Sequence, residues 1–189
     1  SKKMIFLGRI LYFLNKVKNK LIHSYLANKY SSSSKSIGIN VRFNGISKIT
    51  GLNNLDIGNN VHIGENAFFK AEGGLSIGDN THFARNVVIY THSHNYEGER
   101  LPYDDTLRFK KVSIGKNVWI GINVTILPGT TIGDGAIIGA GATISGQIAP
   151  MEVIGAKVGE KIKSRDKNHY ENLESAKQYG AKNGQQYEK

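Results

Sequence analysis

The chain has 189 residues, 25 Lys+Arg against 15 Asp+Glu, 22 Gly, 3 Pro and no Cys. That length allows one ordinary domain with a real core. The lack of Cys excludes disulfides, thiolate zinc sites, iron–sulfur clusters and a cysteine nucleophile. With few prolines and no Gly-X-Y period, the glycines must serve ordered turns rather than collagen or Pro-rich disorder.

The positive charge sits at one end. Residues 1–55 hold ten cations (Lys2, Lys3, Arg9, Lys16, Lys18, Lys20, Lys29, Lys35, Arg42, Lys48) and no acid, while the remainder is balanced. Clustered cations admit a nucleic-acid reading. However, Lys2–Tyr30 also carries Met4, Phe6, Leu7, Ile10, Leu14, Val17 and Leu21 at helical spacings. The segment therefore predicts a basic amphipathic helix or helix pair, packed on its own domain, on trimer partners or on an anionic membrane surface, and nucleic acid is not expected. It is too interrupted by charge to span a bilayer. It also lacks the pattern of a signal peptide, so a cytoplasmic protein is expected, peripheral on the inner membrane face if the helix binds lipid. Ser31–Ser34 reads as a linker.

From Ile37 the sequence keeps a period of six. Ile or Phe recurs at 37, 43, 49, at 57, 63, 69, at 77, 83, 89, and at 114, 120, 126, 132, 138, 144. Four residues after most of these stands a small or β-branched residue, with Ser47 an exception. Such spacing predicts short strands with inward side chains two apart, each followed by a bend. Gly at 38, 58, 64, 78, 115, 121, 133 and 139, and Asn at 40, 60, 66, 80, 86, 117 and 123, supply residues that enter left-handed backbone cheaply. Three strands and three corners make a triangular coil, and about five coils are expected, starting near Ile37, Ile57, Ile77, Ile114 and Ile132. A β-sandwich would show longer alternating strands.

The rhythm breaks between Ile89 and Ile114. The inserted loop, residues 90–111, opens Thr91-His92-Ser93-His94-Asn95-Tyr96. A long excursion from a rigid scaffold commonly carries function, and an imidazole suits general acid–base chemistry near neutral pH. A metal reading joins His92 and His94 to His62 or His82, which stand 20 apart on successive coils. The tail from Ser164 is polar, with a helix expected around Asn168–Tyr179.

The hexapeptide signature over Ile37–Lys163 resembles the left-handed β-helix acyltransferase superfamily. Within it, Lys116–Gly141 (KNVWIGINVTILPGTTIGDGAIIGAG) resembles the galactoside, maltose and capsular polysaccharide O-acetyltransferases. The resemblance implies an all-β, left-handed parallel β-helix at residues 35–163, flanked by the helical segment 1–34 and the polar tail 164–189. It implies a homotrimer that transfers acetyl from acetyl-CoA to a glycan or sugar hydroxyl in surface polysaccharide biosynthesis, without a metal. It places the general base at His94, with His92, Asn95, Tyr96 and Trp119 toward substrate. Coenzyme A would meet Trp119, Gly121, Ala140 and Ser145, and Lys157 and Lys163 are expected at its phosphates, although the family's Gly-x-Pro-Ala segment lacks its proline here. The acceptor residues of galactoside-type relatives match less well, Lys70 falling near their sugar-binding Asn. An acetyltransferase for an amino sugar or antibiotic, and a silent trimeric scaffold, are the competing readings.

Overall fold

The computed structural model describes residues 2–97, 101–156, 164 and 166–176. The chain divides into two units, Ser1–Ala156 and Lys157–Lys189. The second unit contains a short helix, Lys167–Ser175, within which Lys167 pairs with Glu171 at 3.7 Å; the end of the tail helix expected to run to Tyr179 lies outside the described residues.

The first unit is a solenoid of short parallel strands stacked into three faces. The first face stacks Ser36–Ile37, Leu55–Ile57, Leu75–Ile77, Val112–Ile114, Thr131–Ile132 and Gln147–Ile148. The second stacks Arg42–Phe43, His62–Ile63, His82–Phe83, Trp119–Ile120, Ile137–Ile138 and Val153–Ile154. The third stacks Lys48–Thr50, Phe68–Lys70, Val88–Tyr90, Thr125–Ile126 and Thr143–Ile144. Register is set by the hexad residues, which sit over one another as in Ile57↔Ile77 and Ile120↔Phe83. Of the fifteen Ile/Phe positions all but Ile37 are buried, and each buried side chain is worth about 1.5–3 kcal/mol. The second column fills the remaining space with small residues. Its polar members are satisfied: Thr81 donates to Gly115 O at 2.8 Å, and Ser47 Oγ accepts from Ala67 N at 3.1 Å.

Five complete coils are followed by an incomplete sixth, Gln147–Ile154, which the expected count of five omits. The spacing slips there from six to four, Ile144 to Ile148, because the last corner before Gln147 is short; pairing of Gln147 with Thr131 and Ile148 with Ile132 restores the stack.

The corners divide their two special residues by cause. All seven predicted asparagines lie in left-handed backbone, with φ between 54° and 60°. Their amides form two ladders, Asn40–Asn60–Asn80–Asn117 and Asn66–Asn86–Asn123. The eight glycines expected to do the same keep ordinary φ values. Their requirement is steric: a Cβ on Gly64 would stand 2.4 Å from Ala84 O of the next coil, and one on Gly133 2.4 Å from Pro150 N. Coils spaced about 4.8 Å apart leave no room for it.

Helix α1 spans Lys2–Ser33 without interruption. The predicted serine linker instead completes it, since Ser34 N and Oγ both donate to Tyr30 O, at 3.1 and 2.7 Å, and Ser32 Oγ donates to Lys29 O. Only its C-terminal third is held by the solenoid. Tyr30 is buried, donating to Ser47 O at 2.7 Å and accepting from Ile49 N, and the His23 imidazole meets Phe43 O. From Met4 to Val17 its apolar side chains are exposed. No described helix is long and apolar enough to cross a membrane.

Candidate active site

The inserted loop leaves the solenoid at the corner between the third and first faces. It is a two-stranded antiparallel arm, His92–His94 against Leu107–Phe109, with His94 opposite Leu107. His94 is exposed, and its ring lies flat on Tyr103, with centroids 4.0 Å apart and planes 18° off parallel. Such stacking fixes the imidazole while leaving its edge open to a reactant. Asn95 serves the arm itself: its side chain donates to Thr106 Oγ1 at 3.2 Å and accepts from Glu97 N at 3.3 Å. Tyr96 is exposed under the Arg108 guanidinium, which in turn pairs with Glu97.

His92, two residues earlier on the same strand and nearer the solenoid wall, is much less exposed than His94. Its side chain is only 12% exposed, packed near Phe109 and Tyr90, with Nδ1 3.6 Å from Glu72 Oε2. Burial pushes the Glu72 carboxyl up, but the Thr50 hydroxyl, its own backbone N–H and the Lys70 ammonium outweigh burial and hold it below the ordinary value. Glu72 escaped the sequence reading; its position 20 residues before His92, one coil away, is the signal that marks it.

A second feature lies at another corner, between the second and third faces. There Ala84, Trp119, Gly121, Ile122, Ile137 and Ala140 line an apolar groove of about 330 Å³. Trp119 is 59% exposed. Gly121 is needed for coil contact as well as for the groove, since a Cβ would stand 2.7 Å from Ala140 N. The predicted cofactor set is therefore divided: Trp119, Gly121 and Ala140 share this groove, whereas Ser145 stands exposed after Thr143–Ile144, at the corner from which the arm departs. Lys157 and Lys163 lie outside the described residues. One chain does not unite the His94 arm with the Trp119 groove.

His62 and His82 stack edge to face on the second face, 5.3 Å apart. Burial, with the neighbouring His82 and Arg42 charges, lowers the His62 pKa. They stand away from the arm that carries His92 and His94, and among the described residues no group of three or more candidate ligands could hold a metal.

Two stretches match family models: residues 111–146 match the bacterial transferase hexapeptide (six repeats), and residues 55–91 the hexapeptide repeat of succinyl-transferase. Among solved structures, a maltose O-acetyltransferase from Clostridium difficile 630 is 32% identical, with a TM-score of 0.60 over 73% of this chain and 75% of that one. The chain belongs to the hexapeptide-repeat acetyltransferase family. A galactoside acetyltransferase in complex with coenzyme A is 29% identical, with a TM-score of 0.62 over 73% of this chain and 70% of that one. A hexapeptide-repeat-containing acetyltransferase from Vibrio cholerae O1 biovar eltor, complexed with acetyl coenzyme A, shares the fold at 21% identity, with a TM-score of 0.62 over 72% of this chain and 74% of that one. No curated protein matches the chain by sequence. The solenoid is thus the family's left-handed parallel β-helix.

Proposed function

We propose that this protein is an acetyl-CoA-dependent O-acetyltransferase acting on a sugar hydroxyl in surface polysaccharide biosynthesis. The observation that carries the reading is the exposed, ring-stacked His94 on the arm that interrupts the hexapeptide solenoid. In this reading the His94 imidazole takes the proton of the acceptor hydroxyl as its oxygen attacks the thioester carbonyl. The tetrahedral intermediate collapses with cleavage of the C–S bond, and the imidazolium returns the proton to the departing thiolate. The products are an acetyl ester and coenzyme A. The apolar Trp119–Ala140 groove suits the thin pantetheine arm of the donor, with Ser145, Lys157 and Lys163 assigned to the rest of it.

The arm and the groove occupy different corners of one chain, which supports a homotrimer in which one copy's arm meets its neighbour's groove. Residues 35–163 carry the catalysis, and 164–189 form a polar appendage. The exposed apolar side chains of α1 together with its cations support peripheral attachment of residues 1–30 to an anionic cytoplasmic membrane face. The test is release of free thiol from acetyl-CoA over a panel of glycans and amines. Acetyl ester formation on a glycan is the expected result; amide formation on amines alone would replace the O-acetyl reading with an N-acetyl one.

A further inference from the structure

The groove beside Trp119 does not end at Ala84. It opens toward the start of the chain into a hollow of about 670 Å³ that Ala84 also lines, together with Phe83, His62 and Arg85. That hollow shares Arg85, Glu65, Gly45 and His23 with a third, of about 760 Å³, whose far wall is α1. The three form one trough along the corner between the second and third faces, apolar at one end and charged at the other.

The charged end is built from opposite sides. Lys16, Lys20 and His23 recur at helical spacing and share one side of α1. That side is fixed toward the solenoid by the contact of His23 with Phe43 O and by buried Tyr30. Across the hollow stands Arg85, whose 3.4 Å pairing with Glu65 is more than half exposed on both partners and correspondingly weak. Glu65 is the one carboxylate in the lining, against three permanent cations. Neither lysine has an ion-pair partner among the described residues. Three like charges converging on one hollow repel one another unless an anion sits between them, so the arrangement favours an anionic occupant. With coils about 4.8 Å apart, the coils of Arg85, Glu65 and Gly45 lie one to three steps, roughly 5–14 Å, from that of Trp119. One hexose carrying a diphosphate spans this interval.

We propose that the cationic half of the trough is the acceptor site and that the acceptor is a glycosyl diphosphate, its sugar presented at Ala84 and its diphosphate held by Lys16, Lys20 and Arg85. The diphosphate stays intact; only the sugar hydroxyl is acetylated. The proposal rests on the reading of the Trp119 groove as the donor site.

The test is binding of inorganic pyrophosphate to the full chain by calorimetry, with coenzyme A saturating so that the donor's own phosphate contacts are filled. Pyrophosphate is expected to bind, with the Lys16→Ala/Lys20→Ala pair and Arg85→Ala each weakening it at least ten-fold, and Lys29→Ala, on the same helix outside the trough, leaving it unchanged. Parallel titrations with UDP and with farnesyl diphosphate distinguish a nucleotide from a lipid carrier: the carrier recognised binds more tightly than pyrophosphate, and equal affinities mean that the diphosphate alone is read. Absence of pyrophosphate binding, or binding indifferent to the three cations, overturns the acceptor class. Failure of coenzyme A itself to bind would instead overturn the donor reading.

Discussion

His92 Nδ1 stands 3.6 Å from Glu72 Oε2, and neither of these buried atoms has a hydrogen-bond partner. The two residues are 20 apart, on successive coils, so the contact ties the root of the arm to the solenoid wall.

The Glu72 carboxyl, held by the Thr50 hydroxyl, its own backbone N–H and the Lys70 ammonium, gives stability a pH dependence of defined sign. The Glu72 carboxyl is held below its ordinary value of 4.5 in the folded chain. Its stabilising contribution is therefore fully present above that value and is lost as pH falls through the lower folded value. Thermal unfolding followed at pH 7 and pH 3.5 should show a smaller drop in Tm for Glu72→Gln than for the unsubstituted chain. Equal drops would mean that the carboxylate contributes nothing to the acid sensitivity.

The corner asparagines give a second test. Asn86 has φ 60° and links Asn66 to Asn123. Asn86→Ala should cost about 1–2 kcal/mol for the left-handed backbone, plus about 1 kcal/mol for the broken ladder. Asn86→Gly spares the backbone cost and should lose only the ladder's share. Urea denaturation separates the two, and equal losses would show that the conformation is not what asparagine supplies.

Much of this architecture is legible in the sequence because burial repeats on a fixed period. The fifteen Ile/Phe residues name the core, and the asparagines name the left-handed corners. The glycines obey a different cause from the asparagines: spacing reveals that a side chain is not tolerated, but whether φ or a neighbouring coil forbids it depends on the stacking. The sixth coil is hidden by the four-residue step from Ile144 to Ile148. Ser31–Ser34 reads as linker because serine is a weak helix former, yet the Ser32 and Ser34 hydroxyls satisfy the Lys29 and Tyr30 carbonyls at the helix end. In the candidate site, the broken rhythm marks the arm that carries His92 and His94, while the choice of His94 comes from the family resemblance. Ser145 stands at a different corner from Gly121 and Ala140, a separation that the six-residue period alone does not display. Nothing periodic records where α1 lies against the solenoid, so the Lys16–Arg85 convergence emerges only in three dimensions.

The groove can be closed without disturbing the core. Ala140 is exposed at its edge. Ala140→Phe should raise the KM for acetyl-CoA at least ten-fold while shifting Tm by no more than a few degrees. An unchanged KM would place the donor elsewhere.

If one copy's arm serves the next copy's groove, two impaired variants can repair each other when assayed at acetyl-CoA well below the KM of Ala140→Phe. Coexpressed His94→Ala and Ala140→Phe chains should form mixed trimers in which some interfaces carry an intact arm and an intact groove. Activity recovered well above that of either variant alone is the expected outcome. Mixed trimers no more active than the single variants under those conditions would mean that each site is built within one chain.

The most direct measurement is the rate of thiol release from acetyl-CoA in the presence of an accepting glycan, compared between the unsubstituted protein and His94→Ala under saturating donor. Loss of a base that removes the hydroxyl proton lowers kcat by about 10²–10⁴, and donor affinity should stay within two-fold. A His94→Ala protein that turns over at the original rate would contradict the account at its centre.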